Sequence, residues 1–510
     1  MNGNTIKQLM RSHALLALRV LLLLLAAALG LSAYGSKDLP RMAISALLGL
    51  IAFAGAGNLP ARQATISTRA DIADLARIAR RYPHRTLAFM AVVSSALAAL
   101  IAAADPLSLV AVAAWALGIV LIALAAMSHD KWADRSGYRA QFARILRDRA
   151  MLIEILLVCL LTLVAFALRG YDTAHFPANM HGDEAESAFR GLRVLIGPPL
   201  PPFIVSYDWY QLPTLFHYIE ATSMAVFGIS EGGVRMSSAI FGALSVPLLY
   251  LTARLAWGRV YGYAAAILMT ASHLHIQYSR MGGGYIHPST MMVLMAFLMV
   301  VADRGSKRMI WMAGIGLTIG LSQYFYSSAR LLPLVAAPML VALMARRKIE
   351  WRHIAVVAIA VFVSLSPLLL FYAQKPDSIA GRATDVFLLT PASITHTLGE
   401  GATLQKDIGR LIDLQLRRVF GFFVSGGDAG GKYTVAFSAF DGVTAILMWL
   451  GLGVAFTRPR RFGELLTLVW FALGVTSAGL LTIDAPTGNR LMAFVPAVYL
   501  FGGLIVGRIT

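Results

Sequence analysis

Cysteine is nearly absent: the 510 residues include one, Cys159, so no intrachain disulfide framework can form. Charge is also scarce, at 14% of positions, about half the share usual in soluble domains, which excludes an ordinary soluble protein. Acidic residues are the rarer kind, 26 against 44 Lys and Arg, for a net charge of +18. In a soluble chain that excess would point to nucleic acid. Here the basic residues lie in short loops between apolar runs, where retention on the cytoplasmic side and contact with anionic lipid account for them, and no nucleic-acid partner is expected. Short alternating strands are missing, which excludes an outer-membrane barrel, and neither an internal repeat nor a low-complexity linker divides the chain.

What is abundant is apolar sequence, 58% of residues, in runs of about 20 residues, the length that crosses a bilayer as helix. Candidate segments fall at 14–33, 41–57, 87–104, 107–127, 151–169, 204–228, 236–253, 260–278, 289–302, 310–326, 331–346, 353–373, 436–456, 464–482 and 491–508. The first, after Lys7, Arg11 and Arg19, reads as a retained helix and not a secretory signal, because further apolar segments follow at once. Cys159 sits in an apolar run and reads as a small core residue. The expected fold is an all-α integral membrane protein of about 14 spans with juxtamembrane helices on the outer side. Residues 1–150 form a four-helix membrane extension ending in a basic cytoplasmic linker, and 151–373 a membrane module with an outer loop at 170–235. A large outer loop at 374–435 and C-terminal membrane helices at 436–510 complete it.

The most basic loops, 58–86, 128–150, 303–309, 346–352 and 457–463, belong in the cytoplasm. Counting spans forward from a cytoplasmic N-terminus and backward from Arg346 gives conflicting sides unless 204–228 does not cross. That segment opens on prolines and contains Asp208, Gln211, His217 and Glu220, so it makes a poor lipid-facing span, and 186–228 is expected to stay outside. Both termini are then cytoplasmic. The same assignment gathers Asp183, Glu184, His217, Glu220, Arg280, His287, Tyr324, Tyr326, Arg330 and Arg490 on the outer face, where chemistry is expected.

The most informative stretch is His181-Gly182-Asp183-Glu184-Ala185-Glu186. On one reading Asp183 is a helix N-cap with Glu186 at N3, a capping box opening an amphipathic helix through Phe189, Leu192 and Val194. On the other, the adjacent carboxylates supply a base and a second acid that orients a hydroxyl or holds a cation.

Here the chain resembles the lipid-dependent glycosyltransferases of the GT-C class, in the branch containing protein O-mannosyltransferases and lipid A aminoarabinose transferases. The resemblance covers roughly 151–508. It rests on Asp183-Glu184 after a helix, the stretch Gln211-Leu212-Pro213 to Phe227-Gly228, Val234-Arg235-Met236-Ser237-Ser238-Ala239, Tyr278-Ser279-Arg280, Gly320 to Tyr326 with Arg330, and Gly488-Asn489-Arg490. It implies a GT-C type helical bundle and inverting transfer from a polyprenyl-phosphate sugar to an acceptor hydroxyl on protein, lipid or glycan. By the same resemblance Asp183 is the catalytic base, Glu184 the acceptor-positioning acid, and Arg280, Arg330 and Arg490 contact the donor phosphate, although interfacial snorkelling explains each arginine as well. His217, Glu220, Tyr324 and Tyr326 are candidate substrate contacts, the tyrosines being equally an interfacial belt with Trp209 and Tyr210.

Two departures stand out. Leu212-Pro213 replaces a Lys-Pro of many relatives, and His287-Pro288 replaces an Asp-Pro, which puts the second acid in doubt. His217 and Glu220 share a helical face, and with Asp183 and His287 they would form a divalent-cation site. The competing readings are a transporter or lipid flippase, and an envelope polysaccharide polymerase or ligase. A transporter calls for ionisable groups near the midplane, where Glu154 is the lone candidate.

Overall fold

The computed structural model describes residues 82–130, 147–206, 212–305, 308–424, 426 and 438–510. The expected spans at 14–33 and 41–57, most of the basic linker 128–150, and Trp209 and Tyr210 lie outside the described residues. The chain forms two units, 1–82 and 83–510, and every described helix belongs to the second. That unit is helical throughout; among the described residues the β-structure amounts to two isolated bridges, Val205 with Pro213 and Phe387 with Thr482.

In chain order the helices are α1 (Pro83–Ala104), α2 (Leu109–His129), α3 (Arg149–Gly170), α4 (Gly182–Ile196), α5 (Leu215–Phe227), α6 (Glu231–Ala256), α7 (Arg259–Ala271), α8 (His273–Ser279) and α9 (His287–Asp303). They continue with α10 (Met309–Ser322), α11 (Leu331–Ala345), α12 (Trp351–Gln374), α13 (Asp377–Val386), α14 (Pro391–Leu398), α15 (Leu404–Phe422), α16 (Gly442–Thr457), α17 (Phe462–Gly474) and α18 (Val495–Ile509). Among the described residues seven helical segments are long and apolar enough to cross a membrane, and α9, α10, α16 and α18 are shorter apolar helices. Burial separates their roles. Along α3, Leu156, Leu160 and Leu163 are exposed as expected of a lipid-facing helix, and Cys159 is exposed with them, not packed in the core. By contrast α9 and α18 carry unbroken runs of buried residues and lie at the centre.

Two expected helices are divided. The run 260–278 breaks at Ser272, whose extended backbone ends α7 and whose hydroxyl accepts the amide of His275 to cap α8. The run 464–482 continues from α17 into a π-helical turn at Val475–Leu480. The expected outer loop 374–435 contains α13, α14 and α15.

The expected boundary at 128–150 does not detach α1 and α2 from the rest. Alanines, serines and a glycine let both helices approach α12 closely: Ser95 donates to the Val363 carbonyl at 2.8 Å, and the Trp115 indole to that of Ser364 at 2.8 Å. Asp130 then accepts the first two amides of α10, at 2.9 and 3.0 Å, fastening α2 to that helix N-terminus.

The segment expected to stay outside forms two short helices. The 13 residues of α5 span about 20 Å at 1.5 Å per residue, well short of a bilayer's hydrocarbon core. On α4 the buried positions are Glu184, Ser187 and Gly191, while Phe189 and Ile196 are 68% and 70% exposed. The apolar face therefore points away from the protein, the arrangement of a helix lying in a membrane interface. At Gly191 a side chain would meet Glu220 and Met224, so glycine sets the approach of α4 to α5.

Packing of α1 on α2 makes a direct prediction. A side chain at Gly118 would collide with the Ser95 hydroxyl, whereas Gly453 on α16 faces open space. Gly118→Leu should destabilise the purified protein by about 1–3 kcal/mol, seen as a lower melting temperature, and Gly453→Leu should not.

Candidate functional site

The site begins with how α4 starts. His181, not Asp183, is the N-cap: its Nδ1 accepts the Asp183 amide at 3.1 Å. Glu186 pairs with Arg190 one turn on, its Oε1 accepting from Nε at 2.9 Å, so the capping-box reading does not hold. Starting the helix at Gly182 sets its phase. Asp183 is left partly exposed, while Glu184 turns inward to 1% exposure.

Glu184 is held completely. Its Oε1 accepts from Arg235 Nε at 2.7 Å and from the Gly282 amide at 2.7 Å, and its Oε2 from Arg235 Nη2 at 3.3 Å. A carboxylate and a guanidinium this deeply buried persist only when paired and hydrogen-bonded. Arg235 also donates to the carbonyls of Thr173, Pro177 and Asn179, and Arg280 to those of Leu168, Asp172 and Phe176. Together the two arginines stitch down the loop between α3 and α4. Burial and the neighbouring Arg235 lower the proton affinity of Arg280, against the pull of Asp172, but a guanidinium stays charged. Glu184 thus braces the loop and faces no acceptor, and Arg280 has its guanidinium on carbonyls.

Glu220 and His217 form a second buried pair behind α4. Ser187 donates to Glu220 at 2.7 Å, His217 Nδ1 lies 2.9 Å from it, and the Gly283 amide donates at 3.3 Å. His287 is elsewhere, enclosed by the rings of Phe216, Phe241 and Phe325 at 5.2, 4.2 and 5.0 Å. Among the described residues no three His, Cys, Asp or Glu side chains converge as metal ligands. The set Asp183, His217, Glu220 and His287 therefore does not fit a shared divalent cation: Glu220 is taken up by internal donors and His287 by aromatic packing.

Asp183 connects in another direction. The Tyr285 hydroxyl lies 3.5 Å from its Oδ2, the Tyr285 ring meets Tyr326 edge-on at 4.9 Å, and the Tyr326 hydroxyl accepts from Asn489 Nδ2 at 2.8 Å. Tyr326 then lines a cleft with Ser327, Arg330, Thr482 and Arg490. A second cleft of about 670 Å³ shares Ser327 and Arg330 and runs along Leu365, Leu369 and Ile379. Arg330 hydrogen-bonds Tyr372, and Arg490 donates to the Ile483 carbonyl at 2.6 Å. Two arginines beside hydroxyls in an apolar-walled cleft can neutralise a phosphate whose hydrocarbon chain stays in lipid. Tyr324 does not join them: it is buried against Trp115 and Phe203 and donates to the Ser364 carbonyl at 3.2 Å.

Of the residues singled out from sequence, Tyr326, Arg330 and Arg490 line one cleft, Asp183 is linked to Tyr326 through Tyr285, and Glu184, His217 and Glu220 are buried support. Ser187, Arg235, Tyr285 and Asn489 complete the constellation, and sequence reasoning gave them no role. For Tyr285 the signal was the run Gly282-Gly283-Gly284 before it. Gly283 and Gly284 have φ of 88° and 81°, in the left-handed region that favours glycine, and a side chain at Gly282 would meet Val234 and Glu184.

Comparison with a family model covers part of the site, from α5 into α12. Residues 211–371 match the family model described as dolichyl-phosphate-mannose-protein mannosyltransferase. The undecaprenyl phosphate-alpha-4-amino-4-deoxy-L-arabinose arabinosyl transferase 2 of Pseudomonas fluorescens is 29% identical over 233 residues, 42% of this chain and 38% of that protein. The chain thus spans well under half the length of this curated relative. ArnT from Cupriavidus metallidurans in the apo state superposes with a TM-score of 0.49 at 15% identity, over 71% of this chain and 61% of that one. The archaeal oligosaccharyltransferase AglB from Archaeoglobus fulgidus gives 0.45 at 14%, over 70% and 50%. The family model and the curated relative carry the names of lipid-phosphate-sugar transferases, the class that the motifs resemble.

Removing one partner of the buried pair tests its part in the site. Arg235→Ala should cost about 3–5 kcal/mol, read as a fall in melting temperature, because Glu184 is left buried and unpaired. Glu231→Ala, which removes the half-exposed neighbour 3.6 Å from Arg235, should leave stability nearly unchanged.

Proposed function

We propose that the protein is an inverting glycosyltransferase that moves a sugar from a polyprenyl-phosphate donor to an acceptor hydroxyl at the outer face of the inner membrane. The observation that carries this reading is the path from part-exposed Asp183 through Tyr285 and Tyr326 to the cleft holding Arg330 and Arg490. The family match over 211–371 and the named activity of the curated relative support it.

The chemistry follows from the parts. The donor's prenyl chain lies along the apolar walls with its phosphate at Arg330 and Arg490. The acceptor hydroxyl gives its proton to Asp183 as its oxygen bonds to the anomeric carbon from the side opposite the phosphate. The bond from that carbon to the phosphate oxygen breaks, and the electron pair leaves with polyprenyl phosphate. The two guanidiniums offset the charge that develops there, where exclusion of water makes each contact stronger. The acceptor is a hydroxyl on lipid, protein or glycan.

Asp183→Asn should cut turnover of a polyprenyl-phosphate sugar by about 10²- to 10⁴-fold with the fold intact, measured as released polyprenyl phosphate. Turnover within a few-fold of the parent would remove Asp183 from the reaction. Arg330→Ala should weaken donor use by a charge-assisted contact, about 1.5–3 kcal/mol or very roughly ten- to a hundredfold. For sidedness, with Cys159 replaced by Ser, a cysteine at Gly182 should react with an impermeant thiol reagent from outside, and one at Arg460 should not. The reverse pattern would place the site in the cytoplasm.

A further inference from the structure

The transfer chemistry makes no use of α15. Its 19 residues would reach about 28 Å at 1.5 Å each, close to the thickness of a bilayer core, yet Lys406, Asp407, Arg410, Asp413, Arg417 and Arg418 make it too charged to cross. Its side chains sort into three stripes. Leu411, Gln415, Val419 and Phe422 are buried against the protein. Ile408, Ile412, Leu416 and Phe420, one to each turn, are exposed. Lys406, Arg410 and Arg417 are exposed as well, at about 120–160° round the helix from Ile412, and Arg417 pairs with Asp413 at 2.9 Å. An exposed apolar stripe flanked by a basic one is the pattern of a helix lying in a membrane interface.

Two sets of contacts say what covers that stripe and what it rests on. Phe420 stacks on Trp449 of α16 with ring centroids 6.0 Å apart, and Val443, Ile446 and Leu450 of α16 are exposed as on a lipid-facing helix. The apolar stripe of α15 is therefore continuous with a surface that faces hydrocarbon. On the buried side, Leu411 packs with Leu388 and Ile394, and Gln415 Nε2 donates to the Thr482 carbonyl at 3.1 Å. Val419 lies against Gly479, where any side chain would meet it. Gly479 belongs to the π-helical turn Val475–Leu480, and Ser477 and Ala478 of that turn line the cleft together with Thr482, Arg330 and Arg490. One face of α15 thus backs the cleft wall while another is left for lipid.

We propose that α15 is a membrane-surface helix that binds anionic phospholipid beside the cleft and, by seating itself there, seats the cleft wall for the donor. Ile408, Ile412, Leu416 and Phe420 enter the boundary between headgroups and acyl chains, and Lys406, Arg410 and Arg417 reach the lipid phosphates. Three cations against the single acid Asp413 leave that stripe net positive, which an anionic headgroup complements. The effect on the donor rests on the glycosyl-transfer reading, whereas the place of α15 in the interface does not.

Two measurements on the full chain test it, in vesicles of phosphatidylcholine alone and of equal parts phosphatidylcholine and phosphatidylglycerol. With Cys159 replaced by Ser, a nitroxide is attached to Ile412→Cys or to Arg410→Cys. In the mixed vesicles the label at 412 should collide with dissolved oxygen far more than with a water-soluble nickel chelate, and the label at 410 should show the reverse. Chelate access at 412 equal to that at 410 would put the stripe in water and overturn the inference. Shielding of 412 from both reagents would do the same, since protein, a second copy included, would then cover it. For the donor, phosphatidylglycerol should lower KM of the parent about fivefold, roughly what one Lys or Arg near an anionic surface contributes, with kcat little changed. The exposed substitutions Lys406→Gln/Arg410→Gln/Arg417→Gln should fold, match the parent in phosphatidylcholine and lose that response. A parent indifferent to phosphatidylglycerol, or a variant that keeps the full response, would overturn the inference and leave the transfer reading standing. A parent that transfers nothing from any polyprenyl-phosphate donor would overturn that reading, while the nitroxide depths, read without turnover, would still decide where α15 lies.

Discussion

The ion pair between Glu184 and Arg235 is the contact on which the candidate site of this protein depends. It joins α4 to α6, with neither partner more than 1% exposed. Each partner spends its remaining hydrogen bonds on backbone: Arg235 on carbonyls of the loop after α3, Glu184 on the amide of Gly282. One charge pair thus fixes three chain segments that would otherwise have no regular structure to hold them. Its low-dielectric setting makes the pair strong and its breakage costly at once.

That constraint divides the labour between two neighbouring acids. Residues one apart on a helix point about 100° apart, so once Glu184 is drawn inward Asp183 must lie at the side of the helix. Glu184 serves the fold, and Asp183 is left part-exposed, which is why it is the acid proposed for the chemistry. A similar division runs through the basic residues. Arg280 and Arg235 secure loops, and at the other end of α3, Arg254 and Arg259 pair with Glu154, with Arg259 Nε at 2.5 Å and Tyr250 donating at 2.7 Å. The acid that stood out within the expected spans is therefore structural, and Glu154 offers no step in the ionisable path a transporter requires. Arg330 and Arg490 instead line a cleft.

Much of the fold was legible because lipid-facing and core helices both demand long apolar runs, and among the described residues those runs match most of the apolar helices, whereas α4, α13, α14 and α15 correspond to no such run. The shortness of α5 agrees with the prolines that precede it and with its buried polar residues His217 and Glu220. The orientation of α4 was not legible. The periodic apolar residues through Phe189 indicated an amphipathic helix without saying which way it faces, and Phe189 is 68% exposed, as on a helix whose apolar face turns to lipid. The capping-box pattern failed for a related reason: a histidine acceptor at His181 does the capping one residue before the glycine, and no spacing rule signals it. Scattered histidines likewise suggested a cation site, whereas His287 is packed among rings and His217 against Glu220. Tyr285, reached only through a glycine loop, had no signature apart from those glycines.

The central claim is that one outer-face cleft holds the donor phosphate at Arg330 and Arg490 and presents its sugar to Asp183. Cryo-electron microscopy of the protein in nanodiscs with an unreactive polyprenyl-phosphonate sugar tests it most directly. Phosphonate density between Arg330 and Arg490, with the sugar extending past Tyr326 toward Asp183, is the predicted result. Density for the analogue anywhere else on the protein, with that cleft empty at saturating concentration, would contradict it.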